Sequence, residues 1–308
     1  MRGVLLGPQQ LKQSLGAAVK VLGREGPIAL VTCGWQERED QDEELPALLG
    51  RPTVNLKLYE RGEQVLAEDR EYAKAHRQRQ ETLRQIQEFY RLRLERTFDA
   101  AIDIDRKAQG SDMAADELRL SFEQIRRLDQ EHLERVVALR EAWELQLKPL
   151  ERPAIAKHRE ELRKLLAGCG TLAIAGGHVA VLLNRFRMFG VTQLLGDQHL
   201  IAWSAGAMMT GGRVVLFHES PPEGVGISEV LEQGLGLHSG ILPLPNPKLR
   251  LKLDSTFRVG WMSRRHEPLQ CVAFDQGDFV CFDGEKWFGA EGTCRLNVDG
   301  SVTTGWAS

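Results

Sequence analysis

The chain predicts an α/β fold: a parallel sheet sandwiched by helices and interrupted by a long antiparallel helical hairpin. Three observations predict it. Short apolar runs bounded by Gly and Pro, such as Val4–Leu6 and Ile28–Cys33, alternate with helical spacings toward both ends of the chain. Strands buried on both faces of a parallel sheet read this way. From about Glu63 to Leu150 the composition changes: Gly110 is the lone glycine, and Arg, Glu and Gln dominate. Finally, the apolar run Leu200-Ile201-Ala202-Trp203 stops at Ser204 and continues as Ala205-Gly206-Ala207, the pattern of a strand, a sharp turn and a helix N-terminus.

Taken in order, Val4–Leu6 is a first strand that ends in the Gly7-Pro8 turn, and Leu11, Leu15, Val19 and Leu22 recur at helical spacing. Ile28–Cys33 and Val54–Leu58 follow as strands. Leu83, Ile86, Tyr90, Leu94 and Thr97 form one 3-4 stripe. Leu118, Phe122, Ile125 and Leu128, extended by Val136, Leu139, Trp143 and Leu147, form a second. Two long amphipathic helices are expected, turning near Gln109-Gly110-Ser111-Asp112, where Ser111 or Asp112 caps the second, which Pro149 and Pro153 end. A short loop makes them antiparallel, with a coiled-coil-like seam. The charge run is read as a solvated face with i,i+4 pairs. The apolar stripe has three places to go: onto itself, onto the α/β body or onto a second copy, so a homodimer through the hairpin is one expected partner arrangement.

Beyond Pro153 the α/β pattern returns. His158–Leu166 is helical, Thr171–Ala175 a strand, Val179–Phe189 a helix and His199–Trp203 the strand into the Ser204 turn. Arg213–Phe217 is a further strand, and Pro247–Met262 is a helix after a Pro-rich loop. Gln270–Phe274, Phe279–Phe282 and Cys294–Asn297 suit strands, with Asp283-Gly284 as a hairpin turn. One α/β domain is therefore expected over residues 1–62 and 151–308, with 63–150 inserted.

Composition narrows the function. At 308 residues the chain can bury a full core. A net charge of −3 and a pI near 6.3 give no pull toward nucleic acid or a membrane surface. Acidic residues interleaved with the hairpin arginines argue against phosphate tracking. No apolar run reaches the ~18 residues of a membrane span, and the N-terminal apolar run is too short for a signal peptide, so a cytoplasmic protein is expected. The five cysteines, Cys33, Cys169, Cys271, Cys281 and Cys294, include no Cys-x-x-Cys, which suggests buried free thiols rather than a zinc ribbon or redox motif. Cys33, at a strand end, is the one to watch as a reactive thiol, although structural filler is its better reading. No phosphate-binding loop, dinucleotide fingerprint or His-Glu-x-x-His occurs, so neither metal nor cofactor is expected.

The chemistry concentrates at Ser204. In a nucleophile elbow the serine sits on a strained turn, small neighbours permit tight packing, and the next N–H, that of Ala205, points at an oxyanion forming on the substrate. Upstream, Leu172-Ala173-Ile174-Ala175-Gly176-Gly177-His178 precedes a helix, and about 25 residues later comes Ala202-Trp203-Ser204-Ala205-Gly206-Ala207. With Gly234-Leu235-Gly236-Leu237 beyond, this combination resembles the peptidase S51 family of cyanophycinase and dipeptidase E. The resemblance covers residues 160–290 well and 1–60 weakly, but not the hairpin.

The resemblance implies a flavodoxin-like core related to class I glutamine amidotransferases. It also implies a serine hydrolase with chain order Ser, His, acid, cleaving a peptide or isopeptide-like amide through an acyl-enzyme. Ser204 would be the nucleophile, and the N–H groups of Gly177 and Ala205 the oxyanion hole. Gly176, His178 and Asn246 would contact substrate. The sequence departs from the family at the histidine: by gapless spacing Asn246 stands in its place, and an amide is no general base. His238, directly after the Gly-Leu-Gly-Leu, is the candidate base and Asp275 the candidate acid. His218, in Phe217-His218-Glu219, is a further polar candidate, whereas Arg264-Arg265-His266-Glu267 reads as a solvated helix end. The alternative is a catalytically inactive member whose pocket binds a ligand and whose hairpin docks a protein partner.

Overall fold

In a computed structural model of the chain, the structure describes residues 1–107, 112–217, 227–289 and 292–305. The strands are β1 (Gly3–Leu6), β2 (Ile28–Val31), β3 (Thr53–Asn55), β4 (Thr171–Ile174), β5 (His199–Trp203), β6 (Arg213–Leu216), β7 (Glu229–Gln233), β8 (Ile241–Pro245), β9 (Gln270–Phe274), β10 (Phe279–Phe282), β11 (Trp287–Gly289), β12 (Cys294–Leu296) and β13 (Val302–Thr304). The helices are α1 (Leu15–Leu22), α2 (Leu45–Leu49), α3 (Leu58–Glu68), α4 (Arg70–Lys107), α5 (Asp112–Leu147), α6 (Pro153–Ala167), α7 (Val179–Met188), α8 (Ala205–Thr210), α9 (Pro247–Arg250) and α10 (Thr256–His266).

The central sheet runs β11-β10-β1-β5-β4-β2-β3. Its last five strands are mutually parallel, and β10 and β11 extend it antiparallel. Side chains alternate across this sheet. Val4, Leu6, Ile201 and Trp203 join α1 and α2 in one core, while Leu5, Leu200 and Ala202 join the larger core on the other face. The fold is thus the expected parallel-rich α/β sheet flanked by helices. Strands from before and after the hairpin interleave in it, so the α4–α5 excursion leaves and re-enters the same sheet.

Several boundaries move for physical reasons. Leu11 is exposed, and α1 starts at Leu15. The first strand is followed instead by a loop in which the Gln9 side chain accepts from the Ser14 N–H at 2.7 Å. The third strand stops at Asn55, whose side chain accepts from the Lys57 N–H, and Lys57 turns left-handed before α3. The stretch expected as one helix over Pro247–Met262 is two, because Ser255 restarts the helix by accepting from the Arg258 N–H. The Pro-rich loop before it contains β8. Pro243 and Pro245 lack N–H groups, but β8 is the edge of the sheet β13-β12-β9-β8, where a missing donor is tolerated.

The hairpin stripe is buried both on itself and on the body: α5 packs on β7 and α10 as well as on α4. The turn expected at Gln109-Gly110-Ser111 lies outside the described residues. Two readings of charge are overturned. Asp129, inside the supposed solvated face, is fully buried, and Arg265 and His266, read as a solvated helix end, are 1% and 0% exposed. Arg265 Nε donates to Asp129 Oδ2 and Nη2 to Oδ1, both at 2.8 Å, and Tyr90 OH donates to Oδ1 at 2.7 Å. The pair neutralises itself inside the seam between hairpin and body. No described helix is long and apolar enough to cross a membrane.

Candidate active site

The site begins at the carboxyl ends of the parallel strands, where open α/β sheets place their ligand crevices. Ser204 follows β5, in mid-sheet between β1 and β4. Its backbone is at φ 54° and ψ −126°, outside the allowed basins for a residue with a Cβ, and its N–H donates to Leu6 O. This is the strained turn expected of an elbow. The helix after it comes very close to β4: a Cβ on Gly206 would stand 2.4 Å from Ile174 O and 2.6 Å from Ala175 O. Gly206→Ala is therefore expected to cost about 3 kcal/mol of stability, read by urea denaturation, because carbonyls of a central strand cannot give way. Ser204→Gly is expected to do the reverse and gain about 1 kcal/mol by releasing the backbone strain; a loss in that variant would show that no strain is held there.

Gly176 closes the other side. A Cβ there would lie 2.9 Å from Ser204 Cβ, 3.2 Å from Ser204 Oγ and 3.6 Å from Ala205 N, so the β4 turn faces the hydroxyl directly and only glycine leaves room. Gly177 follows at φ 114°, stacked on Gly34, and the His178 N–H donates to Gly34 O at 2.8 Å. The turns after β2 and β4 are thereby locked together. Gly176, Gly177 and Ser204 line one cleft of about 880 Å³, with Trp203 and Trp35 beside them.

The rest of that cleft was not legible beforehand. The loop after β2 supplies Arg38, Asp42, Glu43 and Glu44, and the loop after β1 supplies Gln9 and Gln13. Asn55 pins the acidic loop: its amide donates to Thr32 Oγ1, Glu39 O and Asp42 Oδ2 at 2.9–3.0 Å. The Glu39 carboxylate accepts from the Tyr59 and Glu60 N–H groups at the start of α3, although burial pushes its pKa up. Gln36, in the same loop, has nearly the dihedrals of Ser204, φ 59° and ψ −125°. A tryptophan and a strained glutamine shortly past a strand carry no pattern that sequence alone separates from an ordinary turn. Cys33 at the loop's start is fully buried, and burial pushes its thiol well up, as structural filler requires.

The other expected partners are not brought to Ser204. His238 is buried at the far end of the elbow helix, six residues of rise or about 9 Å along the axis from Ser204. The Thr210 hydroxyl donates to Ala207 O and so accepts from His238 Nε2, at 2.9 Å. Burial lowers this imidazole to about 4. It is a neutral partner of the helix end, bonded to Thr210 and not to Ser204. The Asp275 carboxylate pairs with Lys248 at 3.1 Å and meets no imidazole among the described residues. Asn246 sits left-handed at φ 64° between β8 and α9, its N–H donating to Phe274 O, and does not line the cleft. His178 is exposed beside Gly177 and caps α7, its Nδ1 accepting from the Val181 N–H at 3.4 Å. His218 lies outside the described residues. Among the described residues no side chain hydrogen-bonds Ser204 Oγ.

No protein-family model matches the chain, and no curated protein is similar to it. Among solved structures it is similar to the crystal structure of a peptidase from an acI-B1 Actinobacterium, with 12% identity over 96% of this chain and 91% of that one and a TM-score of 0.44.

Proposed function

We propose that this chain is a serine hydrolase of the peptidase S51 type that cleaves a peptide or isopeptide-like amide through an acyl-enzyme on Ser204. The observation that carries this reading is the strained elbow opening on the 880 Å³ cleft, with Gly176 packed against the hydroxyl. A turn held at such dihedrals costs about 1–3 kcal/mol, and residues strained in this way cluster at functional sites. A scissile carbonyl attacked by Ser204 Oγ would turn its oxygen toward the N–H groups of Ala205 and Gly177, a pairing commonly worth a few kcal/mol in the transition state. The Ser204 proton must leave as the C–O bond forms and reach the departing amine. A base therefore has to come to Oγ when substrate binds, as loose apo geometries permit.

A second reading has its own support: by gapless spacing Asn246 falls where the family's histidine would, and no described imidazole hydrogen-bonds Ser204 Oγ. In that reading the cleft binds a peptide-like ligand without cleaving it. A fluorophosphonate probe separates the two. Labelling of the wild type that disappears in Ser204→Ala is the expected result, because an activated serine reacts and an idle hydroxyl does not. An unlabelled wild type that still binds peptides in the cleft would leave only the second.

A further inference from the structure

A second cavity lies elsewhere, between the hairpin and the body. About 450 Å³ in volume, it is walled by α4, α5, α7 and β7. Five arginines line it: Arg84 and Arg91 pair with Glu81 and Glu229, and Arg79 from α4, Arg140 from α5 and Arg187 from α7 gather near the Glu232 carboxylate. Arg187 takes that carboxylate in a close ion pair and also donates to Gln233 O, while Arg140 stands 3.6 Å from it. Arg140 also reaches the half-exposed Glu144 at 4.0 Å. Arg79 has no share. Among the described residues it forms no hydrogen bond or ion pair, and its guanidinium lies 4.1 Å over the Trp143 ring. Burial works against its charge.

The orphaned groups of this wall are all donors. Arg79 Nε, Arg140 Nη1 and Trp143 Nε1 are buried without a hydrogen-bond partner, and no buried side-chain acceptor of the cavity shares that state. Buried donors left unmet cost free energy, and a buried cation that no carboxylate contacts costs more. Only a group bringing both oxygen acceptors and negative charge answers both. Water brings acceptors without charge. The volume falls in the range of small-molecule sites, and Leu83 and Met188 add an apolar side.

We propose that this cavity is a binding site for a small organic anion, whose carboxylate or phosphate group pairs with Arg79 and Arg140 beside Trp143. Because its walls come from both the hairpin and the body, the bound anion ties the two together. The site is separate from the Ser204 cleft and does not depend on the reading of that serine.

The test uses the full chain at fixed ionic strength, with sodium phosphate and disodium succinate titrated separately against a chloride background. Saturable heat in calorimetry and a Tm raised by about 3–5 °C are expected for at least one of them; which one distinguishes phosphate from carboxylate chemistry. Arg79→Gln and Arg140→Gln should each weaken that binding tenfold or more, and the exposed Arg119→Gln should not change it. Should Arg79→Gln fail to fold, Arg140→Gln decides. No saturable binding of either anion by the wild type, or binding unchanged in the arginine variants that fold, overturns the proposal.

Discussion

Replacing Asp129 by asparagine is expected to destabilise the protein by about 3–5 kcal/mol, because it strands a buried cation. Arg265 is 1% exposed, and its two bonds to Asp129 neutralise its charge inside the seam. Burial alone would raise the Asp129 carboxyl, but the adjoining guanidinium outweighs it and holds the pKa below the usual range. With an uncharged amide in place of that carboxylate, the guanidinium stays buried and uncompensated. The rest of its shell, Ser228 O at 2.5 Å, Ser228 Oγ at 3.1 Å and Tyr90 OH at 2.9 Å, offers dipoles but no charge. Removing both ions should behave differently: Asp129→Leu with Arg265→Met is expected to recover most of the loss, since desolvating the pair offsets much of what it contributes. Urea denaturation followed by circular dichroism measures both. A single variant that loses under about 1 kcal/mol would mean that water reaches the seam.

Acid is expected to destabilise the protein well before its carboxylates titrate. Burial lowers His76 and His238 to about 4 and His266 to about 3. In the unfolded chain each imidazole titrates near ~6.5. Between these values the unfolded state binds protons that the native state refuses, so stability rises with pH and is complete above the unfolded value. As pH falls from about 6.5 each histidine removes about 1.4 kcal/mol per unit, and the three together on the order of 5 kcal/mol by pH 5. Glu39 and Asp278, pushed up by burial, work in the opposite direction, but His132, His158 and His199, also lowered by burial, add to the three. Urea midpoints at pH 7.5, 6 and 5 should drop accordingly. His266→Met should remove about a third of what His76, His238 and His266 contribute to the slope, because neither ring nitrogen has a partner to lose. A midpoint constant from pH 7.5 to 5 would contradict the burial of these rings.

Much of the fold was legible because its signals are local. An apolar run that stops at Gly or Pro has one economical structure in an α/β chain, so β1, β4, β5, β9 and β10 fall within a residue or so of where periodicity puts them. Two 3-4 stripes without glycine can be little but long helices, and α4 and α5 follow. Legibility failed where the deciding contact is distant in sequence. β8 reads as a loop until its position at a sheet edge excuses Pro243 and Pro245. Arg265 and Asp129 look like solvent residues until each meets the other, 136 residues away. His238 follows a family-like motif, yet Thr210 at the end of α8 claims it.

The candidate site divides the same way. By itself the sequence determined the elbow, since a strand, a serine and three small residues encode a turn that larger side chains would block; it determined Gly176 for the same reason, with Ser204 Cβ against it. Only the tertiary structure decided what surrounds the serine. It brought Arg38, Asp42 and Glu44 into the cleft, sent His238 to the opposite end of α8, paired Asp275 with Lys248, and enclosed three arginines between hairpin and body. A turn is set by steric exclusion among neighbours in the chain, which sequence displays directly. The partner of a charged or titratable group is set by which chain segments fold against each other, and that choice belongs to the packing of the whole molecule.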